Sequence, residues 1–320
     1  MNNPNVASFR LSVQDGQRLL NRVQQEINQI IVGQSRPVRL ALCCLLARGH
    51  LLIEDIPGVG KTTLARVLAQ VLGLPFSRIQ FTSDLLPADI IGVSTFDPEA
   101  HKFVFHPGPI FSSIILADEV NRATPKAQSA LLEAMEEHQV SAEGETRLLP
   151  KPFFVIATQN PHEQIGTFPL PESQLDRFLM RLSLGYPDPK AEKLLLKGTD
   201  RRDMLPSLQA LLDARDILDL QTQCRRIHCS DALVDYVHAL LDETRVNERF
   251  QYGLSPRAGL ALTHAARAWA FLEGRDMVLP EDVQAVASSV LDHRLQGNDS
   301  AMQQTASNTV QQLLQSVPIP

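Results

Sequence analysis

The stretch His50-Leu-Leu-Ile-Glu-Asp-Ile-Pro-Gly-Val-Gly-Lys-Thr-Thr63 runs from an apolar segment through a glycine-rich turn into an apolar helical pattern that ends near Leu72. The first five residues read as a short buried strand, because a compact apolar run bounded by turn residues fits a strand covered on both faces. Pro57-Gly58-Val59-Gly60-Lys61-Thr62 then has the composition of a phosphate cradle. Glycines let the backbone wrap close to an anion where Cβ atoms would obstruct it, and the helix that follows aims its first amides at the same point. Lys61 is expected to reach the β- and γ-phosphates of a nucleotide and the Thr62 hydroxyl to hold Mg²⁺. One position departs from the usual motif. Five residues before Gly60, where glycine or alanine is normal, stands Asp55. An acid there must turn away from the phosphates or weaken their binding.

Outward from this turn the chain alternates apolar runs with helical spacing. The runs Arg78–Phe81, Ser113–Ala117, Phe153–Thr158 and Leu179–Leu184 read as further strands. Before the cradle, apolar residues from Leu19 to Ile31 fall at helical intervals, and a second helix is expected from Pro37 to Ala47. Thr124-Pro125 opens another, with threonine as cap and proline in the first turn. The pattern predicts an α/β domain with a parallel sheet flanked by helices over residues 1–185, and a smaller all-helical domain over residues 186–320 after the break at Pro187-Asp188-Pro189. Two insertions, Gly92–Phe105 and His138–Leu149, read as hairpins, and the polar residues from Gln296 onward as loosely held.

A second feature supports the cradle. Ile114-Ile-Leu-Ala-Asp-Glu119 ends an apolar strand on two carboxylates, 57 residues after Lys61. Parallel strands deliver their C-terminal ends to one edge of the sheet, so the acids should meet the cradle. Asp118 is expected to help hold Mg²⁺ and Glu119 to polarise the attacking water. The candidate nucleotide-binding residues are therefore Pro57, Gly58, Val59, Gly60, Lys61, Thr62, Thr63 and Asp118, with Thr62 and Asp118 as metal ligands, ATP as the nucleotide and hydrolysis as the reaction.

Composition narrows the rest. The 320 residues carry 30 basic and 36 acidic side chains, a formal charge of −6, which gives no general footprint for nucleic acid. No apolar run approaches a membrane span, and the first residues lack a secretory core and cleavage site. With four cysteines, the expectation is a cytoplasmic protein. Cys43 and Cys44 read as packing residues; Cys224 and Cys229 flank His228, a spacing poor for zinc.

Taken together, IIVGQ at residues 30–34, LLIEDIPGVGKTTLA at 51–65, DEVNRATPKAQSALLEAMEE at 118–137, FFVIATQNP at 153–161, PLPESQLDRFLMR at 169–181 and GLSPRA at 253–258 resemble the MoxR family of AAA+ ATPases. The likeness extends from about Asp15 to Leu295. It implies a P-loop core followed by a small helical lid, and a ring, commonly a hexamer, with ATP held between subunits. It assigns Val32, Gly33 and Gln34 to the adenine pocket and Asn160 to sensor 1. Arg257 becomes sensor 2 and Arg177 the arginine finger, with Arg181 as a second candidate. Arg122 becomes a relay of nucleotide state across the interface, and the two hairpins become contacts for a substrate or partner. It further implies a chaperone-like role in remodelling or maturing protein complexes, together with a separate partner carrying a von Willebrand factor A domain. Two other readings remain at this stage. One is a nucleic-acid motor, which the acidic hairpins disfavour; the other is a nucleotide-gated scaffold, which Glu119, Asn160 and Arg177 disfavour.

Overall fold

The computed structural model describes residues 10–161, 166–198, 201–295 and 306–319. Two helices lead in: α1 (Val13–Ile30) and α2 (Ser35–Leu46). Helix α1 starts six residues before its apolar stripe, because Ser12 caps it by accepting from the Asp15 amide at 3.1 Å. Then follow β1 (Leu51–Glu54), α3 (Lys61–Val71), β2 (Phe76–Gln80) and the short α4 (Pro87–Ile91). The first hairpin comprises β3 (Gly92–Asp97) and β4 (Lys102–Pro107). After β5 (Ile114–Asp118) and α5 (Pro125–Glu137) comes the second hairpin, β6 (Gln139–Ala142) with β7 (Glu145–Leu148). Both hairpins are antiparallel, as expected. The core closes with β8 (Phe154–Gln159), α6 (Glu172–Leu175) and β9 (Met180–Leu182).

The central sheet has the order β2-β5-β8-β1-β9, with all neighbours parallel. Strand β5 is buried at every residue, which explains why it reads as an unbroken apolar run. Alternation along each strand sorts the side chains to two faces. Leu51, Ile53, Ile114, Leu116, Phe154 and Ile156 pack toward α1, α2 and α3. Leu52, Ile115, Ala117, Val155 and Ala157 pack toward α4, α5 and the second hairpin.

Beyond β9 the described residues are helical: α7 (Pro189–Lys197), α8 (Ala214–Arg225), α9 (Asp231–Val246), α10 (Pro256–Leu272), α11 (Pro280–Leu291) and α12 (Ala306–Ser316). The first apolar cluster continues from α1 and α2 directly into these helices. Arg39 of α2 lies over the Trp269 ring at 5.3 Å and donates to the Leu272 carbonyl at 2.8 Å, and Gln221 donates to the Leu45 carbonyl at 2.8 Å. A boundary at residue 185 thus marks a change of secondary structure, not a gap in packing.

The expectation of a loosely held tail needs correction for part of its length. Residues 296–305 lie outside the described residues, but α12 and the residue after it pack through buried Val310, Leu313 and Val317. Those three, with Leu314, make a narrow stripe at helical spacing that the glutamines on the outer face obscure in the sequence. No helix among the described residues is long and apolar enough to cross a membrane. Cys224 is buried in α8 and Cys229 half-buried; among the described residues no three His, Cys, Asp or Glu side chains form a metal-ligand group.

Candidate active site

The cradle forms where β1 ends at the carboxyl edge of the sheet. Gly58 and Gly60 take φ values of 88° and 95°, a region open to glycine and strained for other residues. A Cβ on either would meet no described atom within 4 Å, so the hollow is open on the side a phosphate would enter. Gly60 caps α3 with no side-chain bond, which leaves the first-turn amides as donors toward the hollow. Lys61 begins α3, and its Nζ donates to the Asp55 carbonyl at 2.6 Å, folding the ammonium over the loop. Thr62 and Thr63 follow in the first turn, both half-buried. These features fit a triphosphate.

Asp55 does turn away, as its position demanded. It is buried, and its carboxylate accepts from the amides of Ile56, Leu184 and Gly185 and from the Ser183 hydroxyl.

The acidic pair closes the same edge. Asp118 accepts from the Thr158 hydroxyl at 2.6 Å through Oδ1 and from Arg78 Nη2 at 2.7 Å and Nε at 3.1 Å through Oδ2. The Thr158 hydroxyl also accepts from the Glu119 amide at 2.9 Å, so one buried threonine orients both acids. Glu119 has φ 57°, uncommon for a residue with a Cβ, and this turns its side chain out of the strand direction. Its Oε2 accepts from Arg122 Nη1 at 2.8 Å and Gln80 Nε2 at 3.0 Å. Arg122 thus pairs with the acid three residues before it. Asn160, buried, follows β8 at this edge. Arg78, Gln80 and Thr158 were not singled out from the sequence. Arg78 and Gln80 stand two apart on β2, the strand beside β5, and period-2 alternation places them on one face, a signal that would have found them.

Gly33, at φ 75°, and Gln34 lie against the segment after β9. Gln34 Nε2 donates to the Gly185 carbonyl at 3.4 Å, and a Cβ on Gly33 would stand 2.8 Å from the Ala191 Cβ.

Two assigned residues are elsewhere. Arg177 and Arg257 meet at Glu136, at 2.9 and 3.4 Å, and Arg257 also approaches Asp176 at 3.5 Å. Ser255 caps α10 as expected, accepting from the Ala258 amide at 3.2 Å. Arg294 secures Asp176 at 2.7 Å. With Arg48 and His50 these groups line a cavity of about 300 Å³. His50 precedes β1, and Leu179 donates to its carbonyl at 2.9 Å, so this cavity lies at the amino edge of the sheet. Strand β1 separates it from the cradle by about 13 Å at roughly 3.3 Å per residue. Arg181 instead pairs with Glu54 at 3.0 Å and stays with its own sheet. His50 is fully buried, accepting from the Val155 amide through Nδ1 and donating to the Met135 carbonyl through Nε2. Burial, first of all, pushes its pKa down to about 4.

Comparison with known proteins agrees with this geometry. Residues 50–180 match the family model described as the ATPase family associated with various cellular activities, and residues 242–317 match the AAA lid domain. The chain is 43% identical over 304 residues to the uncharacterized protein YeaC of Bacillus subtilis, covering 94% of this chain and 95% of that one. It is 42% identical over 312 residues to chaperone MoxR1 of Mycobacterium tuberculosis, covering 94% and 82%. A crystal structure from Cytophaga hutchinsonii, of a protein assigned as an ATPase, superposes with a TM-score of 0.89 at 37% identity, covering 96% of this chain and 97% of that one. A minichromosome-maintenance homologue from Methanopyrus kandleri shares the fold alone, with a TM-score of 0.61 at 18% identity. With the cradle and acidic pair at one sheet edge and relatives matching nearly end to end, the chain belongs to the MoxR family of AAA+ ATPases.

Proposed function

We propose that this ATP hydrolase works as a head-to-tail ring, a hexamer by family resemblance, that remodels or matures protein complexes in the cytoplasm. The observation that carries this reading is the division of the site between two edges of one sheet. The cradle, Asp118, Glu119 and Asn160 lie at the carboxyl edge, whereas Arg177 and Arg257 lie together at the amino edge. Such a molecule completes its site only when the amino edge of one copy meets the carboxyl edge of the next. Heterologous contacts of that kind close into rings where the rotation between copies closes, and the family resemblance supplies that closure here.

In this reading ATP sits with its base against Val32, Gly33 and Gln34 and its phosphates over Pro57–Thr63. Lys61 exchanges the Asp55 carbonyl for the β- and γ-phosphate oxygens. Thr62 and Asp118 would hold Mg²⁺, which would supply charge neutralisation at the phosphates. Glu119 accepts a proton from the attacking water once it leaves Arg122 and Gln80, and Asn160 orients that water. Arg177 and Arg257 of the adjoining copy exchange Glu136 and Asp176 for the γ-phosphate, offsetting charge in the transition state.

The hairpins favour a protein client over nucleic acid. Ser94 of the first donates to Glu143 of the second, and Asp97, Glu99 and Glu145 add negative charge against Lys102 and Arg147. Arg147 is itself occupied by Glu145 and the Phe105 ring. Phosphate tracks need cationic groups in numbers, and Phe96 and Phe103, both exposed and in edge contact at 5.5 Å, offer an apolar grip instead. A von Willebrand factor A domain protein is the expected partner. The test is capture of proteins on Glu119→Gln locked with ATP, beside phosphate release with and without DNA. Captured client complexes with no stimulation by DNA support the reading; DNA stimulation without protein capture overturns it.

A further inference from the structure

Asp55 opens the phosphate loop where the motif usually has glycine or alanine, and the fold gives this acid specific partners. The residue is 7% exposed. Oδ1 accepts from the Ile56 amide at 2.9 Å. Oδ2 accepts from the Leu184 amide at 2.6 Å, the Gly185 amide at 2.7 Å and the Ser183 hydroxyl at 3.0 Å. The ladder between β1 and β9 ends at the Ile53–Leu182 pair, so these amides lie past its reach. Two successive amides, the second on a glycine at φ 65°, make a small anion-binding concavity. The anion it receives is the protein's own carboxylate.

The segment held by Asp55 is also one side of the wall that carries Gly33 and Gln34. Gln34 donates to the Gly185 carbonyl, and the Gly33 backbone approaches Ala191 and Asp188 so closely that a Cβ there would stand 2.8 and 3.5 Å from them. Asp55 thus stands at a joint. Its carbonyl receives Lys61 of the cradle, and its carboxylate grips residues 183–185, which support the wall. Charge-assisted bonds of this kind in a buried site are strong and directional.

We propose that Asp55 is a positioning residue that sets the separation between the phosphate cradle and the base-binding wall, so that one nucleotide engages both at once. The inference rests on reading Val32–Gln34 as the base wall. Its physical basis is preorganisation. When two subsites are held at the span of the ligand, the second contact costs little further ordering, whereas subsites that drift lose that advantage. The cradle's own donors, the glycine backbone and the first turn of α3, do not involve the Asp55 carboxylate.

The experiment compares ATP with inorganic tripolyphosphate, which has the phosphates without the base, by calorimetric or displacement titration of the full chain with Mg²⁺. In the wild type ATP binds more tightly, and the ratio measures the wall. Asp55→Gly restores the usual motif residue and should leave tripolyphosphate within about threefold of wild type while reducing the ATP advantage by about tenfold or more. Asp55→Asn, which keeps the shape and one acceptor oxygen, should move the ratio in the same direction by a smaller factor and decides the matter if the glycine variant does not fold. Ser183→Ala should give a smaller shift still. An unchanged ratio in folded Asp55 variants, including equal weakening of both ligands, overturns the inference and leaves the wall standing. A wild type that binds both ligands equally instead removes the base wall, and the inference with it.

Discussion

Arg177 offers the most exacting test of a site shared between copies. Its guanidinium pairs with Glu136 at the amino edge of the sheet, about 13 Å of β1 away from the cradle by strand geometry. It therefore has no route to the nucleotide of its own subunit. Arg177→Ala subunits should bind ATP with wild-type affinity yet hydrolyse it at no more than about one thousandth of the normal rate, since fingers of this type contribute about 10³ to 10⁵ in turnover. Lys61→Ala subunits should fail to bind ATP while keeping an intact finger. In an equal random mixture, half the cradles are intact and half of those face an intact finger. Activity should then recover to about a quarter of wild type if sites act independently, since head-to-tail contact pairs each cradle with the finger of one neighbour. The assay is steady-state phosphate release from each variant and from the mixture, with subunit exchange verified by fluorescence transfer between labelled copies. Arg257→Ala should complement Lys61→Ala in the same way, because Glu136 holds both arginines together. No recovery in a mixture with proven exchange, or full activity from a species that stays monomeric with ATP, refutes the reasoning.

Three further outcomes are expected. Lys61→Ala should lose tight ATP binding in a fluorescent-nucleotide titration, since the first-turn amides remain but the positive charge over the phosphates is gone. Glu119→Gln should bind ATP normally and release phosphate at least about a hundredfold more slowly, the scale of lost general-base catalysis; wild-type turnover would place the base elsewhere. His50 should make the fold acid-sensitive: burial holds its pKa near 4 against 6.5 when exposed, so the unfolded chain binds a proton first as pH falls. Stability is then full above pH 6.5 and declines below it, levelling off under pH 4 after a loss of about 3 kcal/mol from this residue. Urea unfolding between pH 7 and 4 checks the slope, and a His50 ring that titrates near 6.5 by NMR would contradict it.

Much of this protein is local in origin, and that part was legible in the chain. The cradle needs only glycines followed by Lys61 at a strand–helix junction, and β5 needs only an unbroken apolar run ending on Asp118 and Glu119. Each is written in consecutive residues, so their meeting at one sheet edge follows from parallel pairing alone. The hairpins and the helical C-terminal region announce themselves through period and turn residues in the same manner. The packing of α12, not its helical character, escaped, because a stripe of three or four apolar residues under glutamines carries little signal until a partner surface exists. What the tertiary structure decided are relations between distant segments. Arg78 reaches Asp118 across two strands, Thr158 orients both acids from a third, and Arg177 and Arg257, 80 residues apart, converge on Glu136 at the edge opposite the cradle. Asp55 shows the division most clearly. Its sequence position required only that the carboxylate avoid the phosphates; where it went depended on amides 129 and 130 residues later, which only the closing of β9 beside β1 could bring within bonding distance.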